Sequence, residues 1–522
     1  MEIPRSTLEY WLSRKESIDA DPGLVEFFES EVGIAFLHRV IVAAHFAITM
    51  IGPSGVRVVC QFLKLSGLDQ FIAASYGSQQ AVAAEMETAI VNYGVRQQAD
   101  LGANMPAKEI TVCEDETFHP EICLVAMEPV SNYILLEAYA PDRKAQSWTA
   151  ALHESLEQLP ITVVQGSSDE GLGLRHHIEK DLGVHHSPDL FHVQQSASKA
   201  TSAPLAAQIR QAEKAVEKAQ KTLDCQRTEQ ATYLSQEPRP VGRPRAYDKH
   251  IAHAQTQVEN AQAALDTALD RQTQAQAAVR GISHCYHPFD LETGATQEPE
   301  AVAQQMSAHF AALETVATEA QLPERSFKNI HKAKRLIVKM VATIAFFWLT
   351  IRAKVEALSL TPAQEQAVHQ WLIPAIYLQC AADKASSAQQ RIALRQRSQV
   401  LIDRINSPDS PLFLLAESDK RLLESVATEC AQLFQRSSSC TEGRNGQLAL
   451  RHHGLHRISH RKLKSLTVVH NFYLSRSDGS TAAQRFFEQD HPNLFEYLLT
   501  QVDLPGRPAQ KRPPPSKVPR LI

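Results

Sequence analysis

The sequence is poor in aromatic residues, which make up 7% of its 522 residues, and its eight cysteines include no Cys-x-x-Cys pair. Its longest uncharged apolar run, residues 340–351, is shorter than the ~20 residues that a membrane-spanning helix needs. The N-terminus also lacks the apolar core of a secretory signal peptide. These absences argue against a disulfide scaffold or a membrane protein, and they predict a cytoplasmic chain with free thiols.

Several catalytic signatures are also missing. Gly166-Ser167-Ser168 does not continue into the Gly-Lys-Ser/Thr of a phosphate loop, and no Gly-x-Ser-x-Gly elbow occurs. His284, Cys285 and His287 are spaced too closely for a usual zinc site.

Charge is unevenly distributed along the chain. The total is 53 Lys and Arg against 58 Asp and Glu, a net charge of −5, yet residues 443–520 hold 13 Lys and Arg against five acids. This asymmetry predicts a segment that faces a polyanion, the alternative being a solvated basic surface. The predicted DNA-binding cations of this segment are Arg444, Arg451, Arg457, Arg461, Lys462 and Lys464.

The first 107 residues read as an N-terminal helical domain. Short helical segments at 56–65, 68–75 and 78–93 have the spacing of a helix-turn-helix, whose second helix would enter a DNA groove. Any small helical bundle produces the same pattern. A helix-turn-helix and a plain bundle both remain open.

From Lys108 the pattern becomes α/β. Three β-prone runs predict a meander, and helices and two further strands follow in the order βββαβαβ, which is typical of a mixed sheet. The predicted strands cover 110–118, 122–127, 133–139, 161–164 and 189–193, and the predicted helices cover 147–158 and 171–182.

This α/β domain, residues 108–199, is interrupted by an all-α insertion over 200–436 and resumes over 437–504. A long helical hairpin is expected at about 204–281, with Arg239, Arg243 and Arg245 in the loop at its tip as further DNA-binding candidates. Residues 505–522 are rich in proline and basic residues and predict a flexible tail.

Acidic residues recur where the predicted sheet would bring them together. Asp115 lies inside a strand, Asp169 follows another strand, and Glu442 opens a helix in the basic segment. Converging carboxylates suit Mg²⁺, whereas an N-cap, an exposed strand edge or the helix dipole would explain each acid separately. Asp189 and His192 lie three residues apart and place an acid and an imidazole on the predicted strand 189–193.

The succession CEDETF, VVQGSSDEGLGL, PDLFHV and EGRNGQLALRHHGLHRI resembles the RNase H-like catalytic domain of DDE transposases. It is most similar to the Mutator-like and hAT-like group, with a D/C-x-x-H motif and an all-helical insertion. The resemblance covers about residues 108–500. It implies Asp115, Asp169 and Glu442 as catalytic, metal-binding acids, and Asp189 with His192 as the supporting motif. Because Glu114 and Glu116 flank Asp115, a one-residue error in register would select the wrong acid.

The resemblance implies a DNA transposase that uses two Mg²⁺ ions, with Mn²⁺ as an alternative, about 3.5–4 Å apart. It would cleave transposon-end DNA, join the end to target DNA and act as a homo-oligomer associated with the nucleoid. A structure-specific nuclease of the same fold and an inactive DNA-binding relic of a transposase are the alternative interpretations.

Overall fold

The computed structural model describes residues 20–118, 120–238, 241–243 and 245–506. The chain divides into two compact units. Among the described residues, the first contains 20–118, 120–166, 171–184 and 438–506, and the second contains 167–170, 185–238, 241–243 and 245–437. Together they hold one five-stranded mixed sheet and large helical regions, so the predicted mixed α/β class is confirmed.

Three strands form an antiparallel meander. They are β1 (Lys108–Phe118), β2 (Ile122–Glu128) and β3 (Tyr133–Ala140), and Asp115 of β1 pairs with Val125 of β2. Apolar residues on both faces are buried, including Val112 and Leu124. This burial explains why the three runs were recognisable in the sequence.

Two more strands, β4 (Ile161–Ser168) and β5 (His185–Pro188), complete the order β3-β2-β1-β4-β5. Lys108 N–H donates to the carbonyl of Pro160, just before β4, and Thr111 Oγ1 donates to Gln165 Oε1 at 3.1 Å. Strands β1 and β4 therefore begin at the same end of the sheet and run parallel to each other.

The last strand lies earlier than predicted. Residues 189–193 are not a strand, because Asp189 is the N-cap of a helix that starts at Leu190, and its carboxylate accepts the N–H of Phe191 at 2.8 Å. Strand β5 consists of His-His-Ser-Pro, which has no apolar alternation to reveal it.

The N-terminal helices share a core with the sheet. Val42, Met86 and Ile90 belong to the same buried cluster as Val112 of β1. This differs from the separate N-terminal domain predicted over 1–107. The helices are α1 (Pro22–Glu29), α2 (Glu31–His45), a π-helix (Phe46–Ile51), α3 (Val56–Leu65), a 3₁₀ turn (Leu68–Gln70) and α4 (Tyr76–Asn104).

The three helical segments on which the helix-turn-helix interpretation depends are not all observed. The predicted middle helix is only one 3₁₀ turn, and Gln79 at the start of α4 is fully buried, where it bonds to His45 and to the carbonyl of Ala73. One face of α4 is buried along its whole length, because it is a core helix of the first unit.

The remaining helices of the first unit flank the sheet strands along the chain. Before the second unit they are α5 (Ala145–Leu156), α6 (Leu172–His176) and a π-helix (His177–Asp181). Four more described helices follow the second unit, whose own helices are α7 to α15. These are α16 (Ser439–Leu455), α17 (His460–Phe472), α18 (Ala482–Phe487) and α19 (Leu494–Gln501).

Among its described residues, the second unit consists of helices and their connecting loops, together with β5 and the end of β4, and it has a large apolar core of its own. Its hairpin helices, α7 (Leu190–Ser235) and α8 (Tyr247–Cys285), are longer than the predicted hairpin. The others are α9 (Pro299–Glu319), α10 (Glu324–Lys334), α11 (Ile337–Glu356), α12 (Pro362–Ala367), a π-helix (Val368–Leu372), α13 (Ile373–Asp383), α14 (Ala388–Ile405) and α15 (Glu417–Leu433).

Two helical stretches, Glu31–Ile51 and Glu324–Glu356, are long and apolar enough by composition to cross a membrane. Core helices of other proteins meet the same criterion, so this finding is weak evidence of a membrane span.

Candidate active site

The acids of β1 point to opposite faces of the sheet. Glu114 is fully buried, and its Oε1 lies 3.3 Å from Nε2 of His177. Glu116 lies on the same face, where Trp148 Nε1 donates to its Oε1 at 3.4 Å. Because side chains alternate along a strand, Asp115 points to the other face.

Asp115 contacts the helix that carries Glu442. Asn445 Nδ2 donates to Asp115 Oδ2 at 2.7 Å, and the backbone N–H of Glu116 donates to Asp115 Oδ1 at 2.8 Å. Glu442 lies in the first turn of α16, three residues before Asn445, and residues three apart share one face of a helix. The predicted first and third acids are therefore on facing elements of one unit.

Helix α16 is held in place by a buried ion pair. Arg444 donates from Nε and Nη2 to the two carboxylate oxygens of Glu137 on β3, both at 2.7 Å. Thr467 Oγ1 also donates to Glu137 at 2.6 Å. The consecutive residues Arg444 and Asn445 thus attach the helix to β3 and to β1. These contacts fix the position of Glu442 relative to the two strands.

The oxygen groups on this face fit a hard cation. Asn445 Oδ1 is buried, and no hydrogen-bond donor reaches it among the described residues. Together with the carboxylates of Asp115 and Glu442, it is the type of ligand that Mg²⁺ prefers.

In the second unit, the ends of β4 and β5 bring two predicted residues together. Asp189 N–H donates to the carbonyl of Ser168 at 3.0 Å, so Asp169 and Asp189 both follow strand ends that are joined by this bond. Asp189 is 2% exposed, and its Oδ2 lies 3.8 Å from Nε2 of His192.

Sequence reasoning missed the residues that hold the acid next to Asp169. Lys339 Nζ of α11 donates to Glu170 Oε2 at 2.7 Å, and His186 of β5 lies 3.9 Å from Glu170 Oε1. His186 Nε2 also hydrogen-bonds with Ser168 Oγ at 3.1 Å. Lys339 lies 169 residues after Glu170, so no local pattern could have revealed the contact.

A family of unknown function, DUF6399, matches residues 368–514. The match covers less than a third of the chain and includes Glu442, Arg444 and Asn445. No curated protein matches the sequence.

The predicted DNA-binding cations divide into two groups. Arg444, Arg451 and Lys462 are at most 9% exposed, so they are not available to phosphates and the prediction for them is corrected. Arg457 and Arg461 are exposed and paired with Glu121 and Glu87, and Lys464 is exposed.

Arg451, one of these buried cations, stabilises the end of a helix. The guanidinium of Arg451 donates to the carbonyls of Thr49, Met50, Ile51 and Gly52, where the first π-helix ends. A cation at a helix C-terminus satisfies carbonyls that lack helical partners and complements the helix dipole. Burial lowers the pKa of Arg451 to about 10.

Lys462 provides a test of this structural assignment. Burial lowers its pKa from 10.5 to about 8, although Glu87 partly opposes the shift. The unfolded chain therefore binds more protons than the folded protein between about pH 8 and 10.5, and this lysine makes the free energy of unfolding rise with pH across that window. We expect Lys462→Met to remove the rise in urea unfolding series, and the exposed neighbour variant Lys464→Met to keep it. The same slope in both variants would contradict the assignment.

The hairpin-tip arginines are partly described. Arg239 lies outside the described residues, and Arg243 is exposed. Arg245 donates to Glu229 at 2.5 Å, and its guanidinium lies 5.7 Å from the ring centroid of Tyr247. Of the two described arginines, Arg243 is therefore the more available to an external anion.

Proposed function

We propose that this chain is a DNA transposase with an RNase H-like catalytic domain, in which Asp115, Asp169 and Glu442 bind the catalytic metal ions. The observation that carries the proposal is the 2.7 Å hydrogen bond from Asn445 to Asp115, because it joins the Glu442 helix to the face of β1 that bears the acid. Glu114 and Glu116 point to the other face and are occupied by His177 and Trp148.

The topology supports the RNase H-like assignment. An antiparallel meander is followed by β4 beside β1, and the order β3-β2-β1-β4-β5 is the arrangement expected of that fold. The helices of the second unit, α7 to α15, interrupt the chain between β5 and the Glu442 helix, at the position where the resembling transposases have their insertion.

Mg²⁺, or Mn²⁺ in its place, would supply an activated water and stabilise the leaving 3′ oxygen of a phosphodiester. The residues of this chain would prepare the site for it. Asn445 and the Glu116 N–H fix the two oxygens of Asp115, and the Arg444–Glu137 pair fixes the helix of Glu442. Asp189 and His192, whose side chains lie 3.8 Å apart, would be the supporting pair beside Asp169.

The proposed substrates are transposon-end DNA and target DNA, handled by a homo-oligomer that associates with the nucleoid when bound. A structure-specific nuclease is the alternative from the same fold, since it needs the same acids but performs hydrolysis alone. An inactive relic would keep the fold without cleavage.

One experiment separates these alternatives. Purified protein is incubated with Mg²⁺ and labelled duplexes taken from both genomic flanks of its coding region, together with a supercoiled target plasmid. A transposase cuts at the element end and joins the end to the plasmid. A nuclease gives cuts without joined products, and a relic gives neither. The last two results would each overturn the proposal.

The hairpin tip is expected to contact DNA in this scheme. Replacing Arg239, Arg243 and Arg245 by alanine should weaken end binding and reduce the slope of log affinity against log salt, because each lost phosphate contact releases about 0.9 fewer counterions. Arg227→Ala is the control, an exposed arginine on α7 outside the loop. Filter-binding titrations over a range of salt measure the slope. An unchanged slope in the triple variant would favour a protein contact instead.

A further inference from the structure

An open groove of about 650 Å³ lies at the far end of the Glu442 helix in the first unit. Phe118 at the end of β1 and Pro120 just after it line the groove, together with Ala449, Leu450, His452 and His453 of α16 and His456, which follows that helix. The side chain of Phe118 is 52% exposed, and Leu450 is 60% exposed. An exposed aromatic ring beside an apolar wall offers a flat surface on which another ring can stack.

Groups that can donate hydrogen bonds to an anion lie beside the aromatic ring or line the same groove. The guanidinium of Arg143 lies 5.7 Å from the ring centroid of Phe118. His453 and His456 line the groove and are exposed, and the adjacent Arg457 is exposed and pairs with Glu121 at 2.8 Å. An aromatic platform edged by cationic and imidazole N–H groups is the combination that binds single-stranded nucleic acid, in which every base has a π-face and every linkage a phosphate.

Helix α16 carries both Glu442 and His453, which lines the groove. His453 lies eleven residues after Glu442, which corresponds to about 16 Å along the helix axis at 1.5 Å per residue. At about 3.4 Å per nucleotide, that distance corresponds to roughly five nucleotides of a strand. A strand cleaved near Glu442 has the length to reach the groove.

We infer that the groove holds an unpaired stretch of DNA about five nucleotides from the cleaved phosphodiester. A base stacks on Phe118, and Arg143, His453 and His456 contact the phosphates. The inference rests on the proposed function for its location relative to the cut, but the binding itself needs no cleavage.

Fluorescence anisotropy of a labelled 12-nucleotide single strand, measured on the full chain in EDTA, tests the groove alone. Phe118→Ala should weaken binding about 5- to 100-fold, the range that loss of one stacked base gives, and Phe118→Trp should retain it. The matched control is Phe413→Ala, which is 40% exposed and has Lys420 Nζ 5.7 Å from its ring centroid. The control should bind like the unchanged chain.

Phe118 and Arg143 are exposed, so Phe118→Ala and Arg143→Ala should each melt at the same temperature as the unchanged chain. Equal affinity of Phe118→Ala, Arg143→Ala and the unchanged chain would overturn the inference. So would an equal loss in Phe413→Ala. Phe118-dependent binding without any metal-dependent cleavage would uphold the groove and reject the transposase. Metal-dependent cleavage, combined with single-strand binding that does not depend on Phe118, would uphold the transposase and reject the groove.

Discussion

Asp115→Asn is expected to abolish Mg²⁺-dependent cleavage of element-end DNA while leaving DNA binding intact. The substitution keeps the shape of the side chain but removes the anionic oxygen that a hard cation requires. The same result is expected for Asp169→Asn and Glu442→Gln. Single-turnover cleavage rates, with affinity measured in Ca²⁺ or EDTA, separate the loss of chemistry from the loss of binding.

Glu116→Gln is the matched control, because Glu116 is on the same strand and points to the face opposite Asp115, where it contacts Trp148. It should cleave at nearly the unchanged rate. Normal cleavage by Asp115→Asn, combined with loss of cleavage in Glu116→Gln, would show that the strand register assigned to the acids is wrong.

Arg444→Met is expected to cause the largest loss of stability of any single change considered. It leaves the carboxylate of Glu137 buried without its cation, and removing one partner of a buried ion pair costs about 3–5 kcal/mol. Chemical denaturation, with tryptophan fluorescence as the signal, measures the free energy of unfolding. Cleavage should fall as well, since Arg444 holds the helix that carries Glu442.

Two controls make the result specific. The double variant Arg444→Met with Glu137→Leu should recover much of the lost stability, because no charge then remains buried. Arg457→Met removes an ion pair whose side chains are 75% and 40% exposed, and exposed pairs contribute about 0–1 kcal/mol. Equal losses in Arg444→Met and Arg457→Met would contradict the buried-pair account.

The strands could be predicted where apolar residues alternate with polar ones or follow one another without a break. Strands β1 to β3 match the predicted runs to within two residues at each end, because their faces are buried by local, readable apolar side chains. The choice of Asp115 over Glu114 depends on which face meets α16, and that contact joins residues 330 positions apart.

The failures have the same physical origin. Strand β5 contains no apolar pattern, and Asp189 caps a helix although the apolar residues after it look like a strand. The basic segment looked like a phosphate-binding surface, yet Glu137 neutralises Arg444 and helix-end carbonyls bind Arg451. Both partners are more than 300 positions away in the sequence, where periodicity carries no information.

The most direct test of the metal site is Mn²⁺ soaked into crystals of the protein bound to element-end DNA, with anomalous scattering used to locate the ions. The proposed site predicts anomalous peaks within coordination distance of the carboxylates of Asp115, Asp169 and Glu442, at about 2.0–2.3 Å. Peaks at Glu114 or Glu116, or no peak near Asp115 in crystals with ordered DNA, would contradict it.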